Sequence, residues 1–145
     1  MPPFKNNQPL KLKAEDKEDL SIISSMLQDA LIPMASIHFI KDQGIFTFIS
    51  HRFKWELDTS TQKKHERIES FVQFSNVEDV QMQNIASQKD PNHVMSLLTM
   101  TQENNYVILT FSGGGVIRLN TYSLCAYLGD GAISWPTIFF PTHSI

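Results

Sequence analysis

The stretch His51-Arg52-Phe53-Lys54-Trp55-Glu56 is the part of the sequence best equipped for chemistry. It interleaves cations with aromatic rings, as a strand that binds an anion or a single-stranded nucleic acid would. Neighbouring side chains on a strand point to opposite faces, so Phe53 and Trp55 share one face and Arg52, Lys54 and Glu56 the other. An ordinary half-buried strand has the same pattern, with its rings in the core and its charges in water, and binary patterning favours that plainer reading. The sharper reading is a small-molecule site at the mouth of a sheet. There His51, Arg52 and Arg118 would hold an anionic group, Trp55 would form a wall, and Glu56 or His143 would serve as acid or base. Lys63, Lys64 and Arg67 lie close by in sequence, offset by Asp58, Glu66 and Glu69. Arg118 stands alone on an apolar strand, so it either reaches the rim or pairs with a carboxylate, Glu56 or Asp130.

Two glycine clusters invite a phosphate-loop reading. Such a loop needs backbone amides at a helix N-terminus, with Lys and Ser/Thr following. Gly113-Gly114-Gly115 is followed instead by Val116, Ile117 and Arg118, so it reads as a hairpin turn with a bulge. Ser112 lacks the Gly-x-Ser-x-Gly frame of a nucleophile elbow. Gly129-Asp130-Gly131 also reads as a turn, because no further carboxylates follow at calcium-loop spacing. The histidines are His38, His51, His65, His93 and His143, with no i, i+4 pair on a helix and no cysteine beside them. His65 and Glu69 would share a strand face, which is too few ligands for a zinc site, so no metal is expected. Cys125 could meet His93 or His143 as a thiol–imidazole pair. Set between Leu124 and Ala126 on an apolar strand, it reads as inert packing. No cofactor and no catalytic set is called for.

The chain has 145 residues, with 12 Lys+Arg against 15 Asp+Glu and a net charge of −3. That is a single-domain length, able to bury about two-thirds of its unfolded surface without a metal or disulfide. With 41% hydrophobic and 19% charged residues, disorder, collagen and coiled coil are excluded. The charge balance lacks the basic footprint of a nucleic-acid binder. A single cysteine allows no internal disulfide and suits a reducing cytosol. No apolar run is long enough for a signal peptide or a membrane span, so a cytoplasmic protein is expected.

The elements that must position these residues are mostly strands. Residues 1–9 hold three prolines and two asparagines and read as a flexible arm, leaving 10–145 as one domain. Leu10 and Leu12 alternate with Lys11 and Lys13, a short strand. Asp16 is the N-cap of a helix whose apolar face is Leu20, Ile23, Met26, Leu27, Ala30 and Leu31, ended by Pro33. The period then changes to two. Residues 35–56 read as a hairpin around Gly44, 57–64 as a loop, 68–74 as a strand turning at Asn76, 80–85 as a weaker strand and 86–93 as a loop. Residues 94–128 carry the strongest β signal, with turns at Asn104-Asn105 and at the glycine triplet and a last short strand over 124–128. This block holds one basic residue, Arg118, and one acidic residue, Glu103, so its strands are expected to be covered on both faces or closed into a barrel. The apolar tail, 132–145, either folds back over the sheet or marks an interface.

Several segments in order resemble a bacterial family known as domain of unknown function 2948. They are LKLKAEDKEDLSIISSMLQDAL at 10–31, HRFKWE at 51–56, HERIESFVQF at 65–74, FSGGGVIRL at 111–119, GDGAISWP at 129–136 and Pro-Thr-His at 141–143. The resemblance covers nearly the whole chain and implies one domain; it brings no activity, cofactor or catalytic residue with it. The expected fold is α+β: a curved antiparallel sheet or small open barrel, pleckstrin-homology-like in element order, with one N-terminal amphipathic helix. The expected function is a non-catalytic protein-binding or regulatory module. The rival is an anionic small-molecule site, or a small enzyme, at His51, Arg52, Trp55, Glu56, Arg118 and His143. A protein partner and a homodimer both fit the first reading; nucleic acid and membrane do not.

Overall fold

The computed structural model describes residues 9–55, 65–85 and 92–137. Of the expected arm at 1–9 and loops at 57–64 and 86–93, residues 1–8, 57–64 and 86–91 lie outside the described residues, as do Glu56 and positions 138–145.

The chain enters as strand β1 (Lys11–Ala14), followed by helix α1 (Lys17–Met26). Asp16 caps the helix, its Oδ1 accepting from the Asp19 amide at 2.8 Å. Glu18 and Asp19 sit in the first turn, where the helix dipole favours anions. Leu20, Ile23 and Leu27 are buried, while Ile22 faces solvent. The helix stops at Met26 rather than at Leu31. Asp29 turns left-handed at φ 64°. Its amide then bonds to the Leu97 carbonyl at 2.8 Å, and the Ala30 carbonyl accepts from the Leu97 amide at 2.9 Å. Sheet pairing thus claims the backbone groups that further helical turns would need, and Leu31–Pro33 becomes strand β2.

The expected hairpin over 35–56 forms as β3 (His38–Ile40) and β4 (Ile45–Phe53). The rest are β5 (His65–Phe74), β6 (Val77–Gln83), β7 (Val94–Glu103), β8 (Tyr106–Phe111), β9 (Val116–Thr121) and β10 (Ala126–Thr137). The glycine triplet turns β8 into β9, with Gly113 and Gly114 at φ 86° and 92°. Gly129-Asp130-Gly131 is not a turn. It lies within β10, which runs on through the start of the apolar tail and pairs with β5 down to His65.

Among the described residues the strands form one sheet in the order β1-β10-β5-β4-β2-β7-β8-β9-β6, with β3 beside β4. It is open, with edges at β1 and β6, and does not close into the barrel that charge-poor strands suggested. Yet it cannot be flat. Strands β5 and β6 stand six spacings apart in that order. In a flat sheet that is about 29 Å, at roughly 4.8 Å per strand. Only Ser75 and Asn76 link Phe74 to Val77, and three Cα steps reach about 11 Å at most. The sheet therefore folds over on itself. Phe46, Phe48, Val72 and Phe74 from one half meet Leu97, Leu109, Ile117 and Leu119 from the other in a single core cluster, joined by Leu20, Ile23 and Leu27 of the helix.

Gly44 sits where the two halves are pinned. It is left-handed at φ 67°, and its carbonyl accepts from the Val77 amide at 2.9 Å. A Cβ there would stand 3.2 Å from the Val77 carbonyl oxygen. Gly44→Ala is expected to destabilise the protein by about 1–2 kcal/mol in urea denaturation, since it adds left-handed strain to a tight contact. An unchanged midpoint would show that this pin is not rigid.

Candidate functional site

Alternation along β4 points Phe46, Phe48, Ser50 and Arg52 inward. Register then sets Ser50 opposite Ser70 on β5, and Ser70 opposite Asp130 on β10. These placements build a buried ionic centre. Arg52 and Asp130 are both 0% exposed in their side chains. Arg52 Nε donates to Asp130 Oδ1 at 2.9 Å and Nη2 donates to Oδ2 at 2.7 Å, the bidentate fork that guanidinium geometry favours. Ser70 Oγ donates to Oδ1 at 2.6 Å, and the Leu10 amide donates to Oδ2 at 2.8 Å. The Asp130 amide returns a bond to the Leu10 carbonyl at 3.0 Å. Just beyond Asp130 the β10 register slips against β5 before resuming at Ser134, a bulge that re-aims the strand.

Burial alone would raise the pKa of Asp130, but the bonds from Arg52, Ser70 and Leu10 and the Arg52 charge outweigh it and hold the carboxyl below its ordinary value. Ser50 Oγ, also in this row, is buried without a hydrogen-bond partner.

The arrangement corrects two sequence expectations. Asp130 pairs with Arg52, not with Arg118. The cations of this stretch are not solvated either: Lys54, just past β4, is buried too, with Nζ 3.3 Å from Glu66 Oε1 on β5. Strand patterning gave only the face; the carboxylates of Glu66 on neighbouring β5 and of Asp130 on β10 make burial of these cations tolerable.

His51 points the other way, its Nε2 3.4 Å from Glu69 Oε2. Trp55 Nε1 donates to the Gln28 carbonyl at 3.0 Å, and its ring stands 4.8 Å from that of Phe53. Arg67 was read from sequence as part of a balanced charge cluster. It is in fact buried, donating to the His51 carbonyl at 2.9 Å with its guanidinium 5.9 Å from the Phe53 ring centre. Burial lowers its pKa from the ordinary arginine value, and Asp29 acts against that shift. Arg118, on β9, is exposed and bonds to Gln81. The structure therefore gives His51, Arg52, Trp55 and Arg118 separate sets of partners. Glu56 and His143 lie outside the described residues.

The outer face of the same half-sheet is apolar at its centre. One row runs Ile49, Phe71, Gly129 and Lys11 across β4, β5, β10 and β1; the next runs Thr47, Gln73, Tyr127 and Lys13. The Tyr127 ring lies across Gly129, with Oη 2.6 Å from where a Cβ would stand. Only a glycine leaves room for the ring in that position. Phe71 and Tyr127 are each 39% exposed, and Ile40 on β3 is 45% exposed.

These features define a mostly antiparallel sheet protein with one described helix, a closed ionic centre inside and an aromatic face outside. The pattern of the family described as Protein of unknown function (DUF2948) matches residues 10–143, and the chain belongs to that family. No curated protein and no solved structure matches it.

Arg52→Met should cost about 3–5 kcal/mol in urea denaturation, because it strands a buried carboxylate. Adding Asp130→Asn should recover a substantial part of that loss; losses that simply add would refute a coupled pair. The pH dependence has a definite sign. Asp130 has a folded pKa below its unfolded value of about 4. Its contribution is then complete above that value and is lost as pH falls through the folded pKa. Acid titration of Asp130→Asn should show a smaller stability loss below about pH 4 than the parent chain does. Parallel curves would count against this assignment.

Proposed function

We propose that the chain is a non-catalytic protein-binding module of the cytosol, and that its contact surface is the outer face of β3, β4, β5 and β10. One observation carries the reading: Phe71 lies opposite Gly129, and the Tyr127 ring is laid over that same glycine, so two large aromatic groups converge on one solvent-facing spot. Aromatic side chains give large contact area at low entropic cost and are enriched at interfaces. Ile40 and Ile49 extend the apolar centre, while Lys11, Lys13 and the His51–Glu69 pair supply a polar rim. The mutual saturation of Arg52 and Asp130 also supports a binding role, since their polar atoms serve the fold rather than a substrate. No described helix is long and apolar enough to cross a membrane.

The test is photo-crosslinking in the native cell from a benzophenone amino acid placed at position 71, with position 122 as control. Tyr122 is 67% exposed and lies in the β9–β10 connection. Position 71 should give a discrete protein adduct, weakened by Tyr127→Ser, and position 122 should not. Equal adducts at both positions, or none at 71, would end this reading.

A further inference from the structure

The second half of the sheet presents a different outer surface, built by β6, β8 and β9. Register aligns Ile108, Arg118 and Gln81 in one row, with Thr110, Val116 and Gln83 in the next. A groove of about 380 Å³ runs over them, lined by Gln81, Met82, Gln83, Ile108, Val116 and Arg118. Arg118 is the sole Lys or Arg on β6, β7, β8 and β9.

Its guanidinium is held in place. Gln81 Oε1 accepts from Nε at 3.1 Å and from Nη2 at 2.6 Å. The opposite support is the Tyr106 ring, whose centre is 4.7 Å from the guanidinium carbon. Among the described residues no carboxylate lies within ion-pair distance of it. A guanidinium carries five N–H donors in a rigid fork. Gln81 occupies one side of the fork. The end edge, formed by Nη1 and the remaining Nη2 hydrogen, keeps two nearly parallel donors, and that spacing suits the two oxygens of a carboxylate. Ile108 and Val116, which flank Arg118 on the same face, line this groove with it.

We propose that this groove is a binding site for a small monocarboxylate with an apolar chain. The carboxylate would sit on the free edge of Arg118 and the chain along Ile108 and Val116. A phosphate monoester fits less well. It carries nearly two charges and is usually met by several cations, whereas here one arginine stands alone, with the carboxylates of Asp79 and Glu103 on the neighbouring strands of the same surface. The site is distinct from the aromatic face proposed for protein contact, and neither depends on the other.

Titration of the full chain by ¹H–¹⁵N NMR tests it, with hexanoate as probe and with hexanol and inorganic phosphate as controls. Hexanoate should shift the amides of Gln81, Ile108, Val116 and Arg118, together with the Arg118 Nε–H, and saturate with a Kd near about 1 mM, as expected for so few heavy atoms. Hexanol lacks the charge and phosphate lacks the chain; both should bind at least about tenfold more weakly, as should hexanoate to Arg118→Met, since the lost pairing is bidentate. Should Arg118→Met disturb resonances beyond the groove, Arg118→Lys gives a second reading. It keeps the charge but loses the two parallel donors, so weaker binding supports the site and unchanged affinity overturns it. The proposal is also overturned if hexanoate produces no saturable shifts or shifts elsewhere, if hexanol or phosphate binds equally well, or if Arg118→Met keeps the parent affinity.

Discussion

A buried charge must be met by an opposite charge and by hydrogen bonds, or it will not stay buried. That constraint organises half of this molecule. Arg52 reaches inward from β4, and its partner Asp130 comes from β10. Ser70 of β5 and the Leu10 backbone next to β1 complete the carboxylate's shell. The four segments are drawn from both ends and the middle of the sequence, yet they meet at one carboxyl group. Hydrophobic contacts tolerate sliding, because one apolar neighbour replaces another. A bidentate fork with two further donors does not. The pair therefore adds a precise register constraint to strands whose alternating apolar pattern already opposes a one-residue slip.

The sequence carried the local features well. Period-two alternation located the hairpin around Gly44, and the triplet at 113–115 announced its turn. The Asp16 cap marked the start of the helix. What failed to show was everything decided by a partner far along the chain. Nothing near Leu31 reveals that Leu97 will take the backbone groups of Asp29 and Ala30 and cut the helix short. Nothing around Asp130 reveals an arginine waiting on β4, so two flanking glycines spoke louder and suggested a turn. Gly129 is instead small because Tyr127 lies over it, and Gly131 stands where β10 leaves its register with β5. In sequence Arg52 stood among interleaved cations and rings, and Arg118 stood alone on an apolar strand. In the fold they differ in which face each occupies and what comes to meet it: one is sealed against a carboxylate, the other held by a neutral amide with an edge to spare.

The two halves of the sheet divide their labour by chemistry. The half built on β4, β5 and β10 buries the Arg52–Asp130 pair beside Phe46, Phe48 and Phe74 and leaves Phe71 and Tyr127 on its outer face. The half built on β7, β8 and β9 follows the ordinary rule, with Leu97, Leu109 and Leu119 inside and Thr99, Thr101 and Arg118 outside. Both open edges are charged, β1 by Lys11 and Lys13 and β6 by Glu78 and Asp79. Exposed edge strands are templates for unwanted pairing, and such charges discourage it.

The pairing of Leu10 with Asp130 also sets the order in which the protein can be completed. The two residues are separated by 120 positions. At synthesis rates of about 5–20 residues per second, roughly 6–24 s pass between their emergence. Throughout that interval β1 has no neighbour, and for its last 78 positions Arg52 has been made but its counter-ion has not. The hairpins of the second half need only local closure and can form as they appear. The half with the ionic centre cannot close until β10 has been made, and β10 then acts as its clasp.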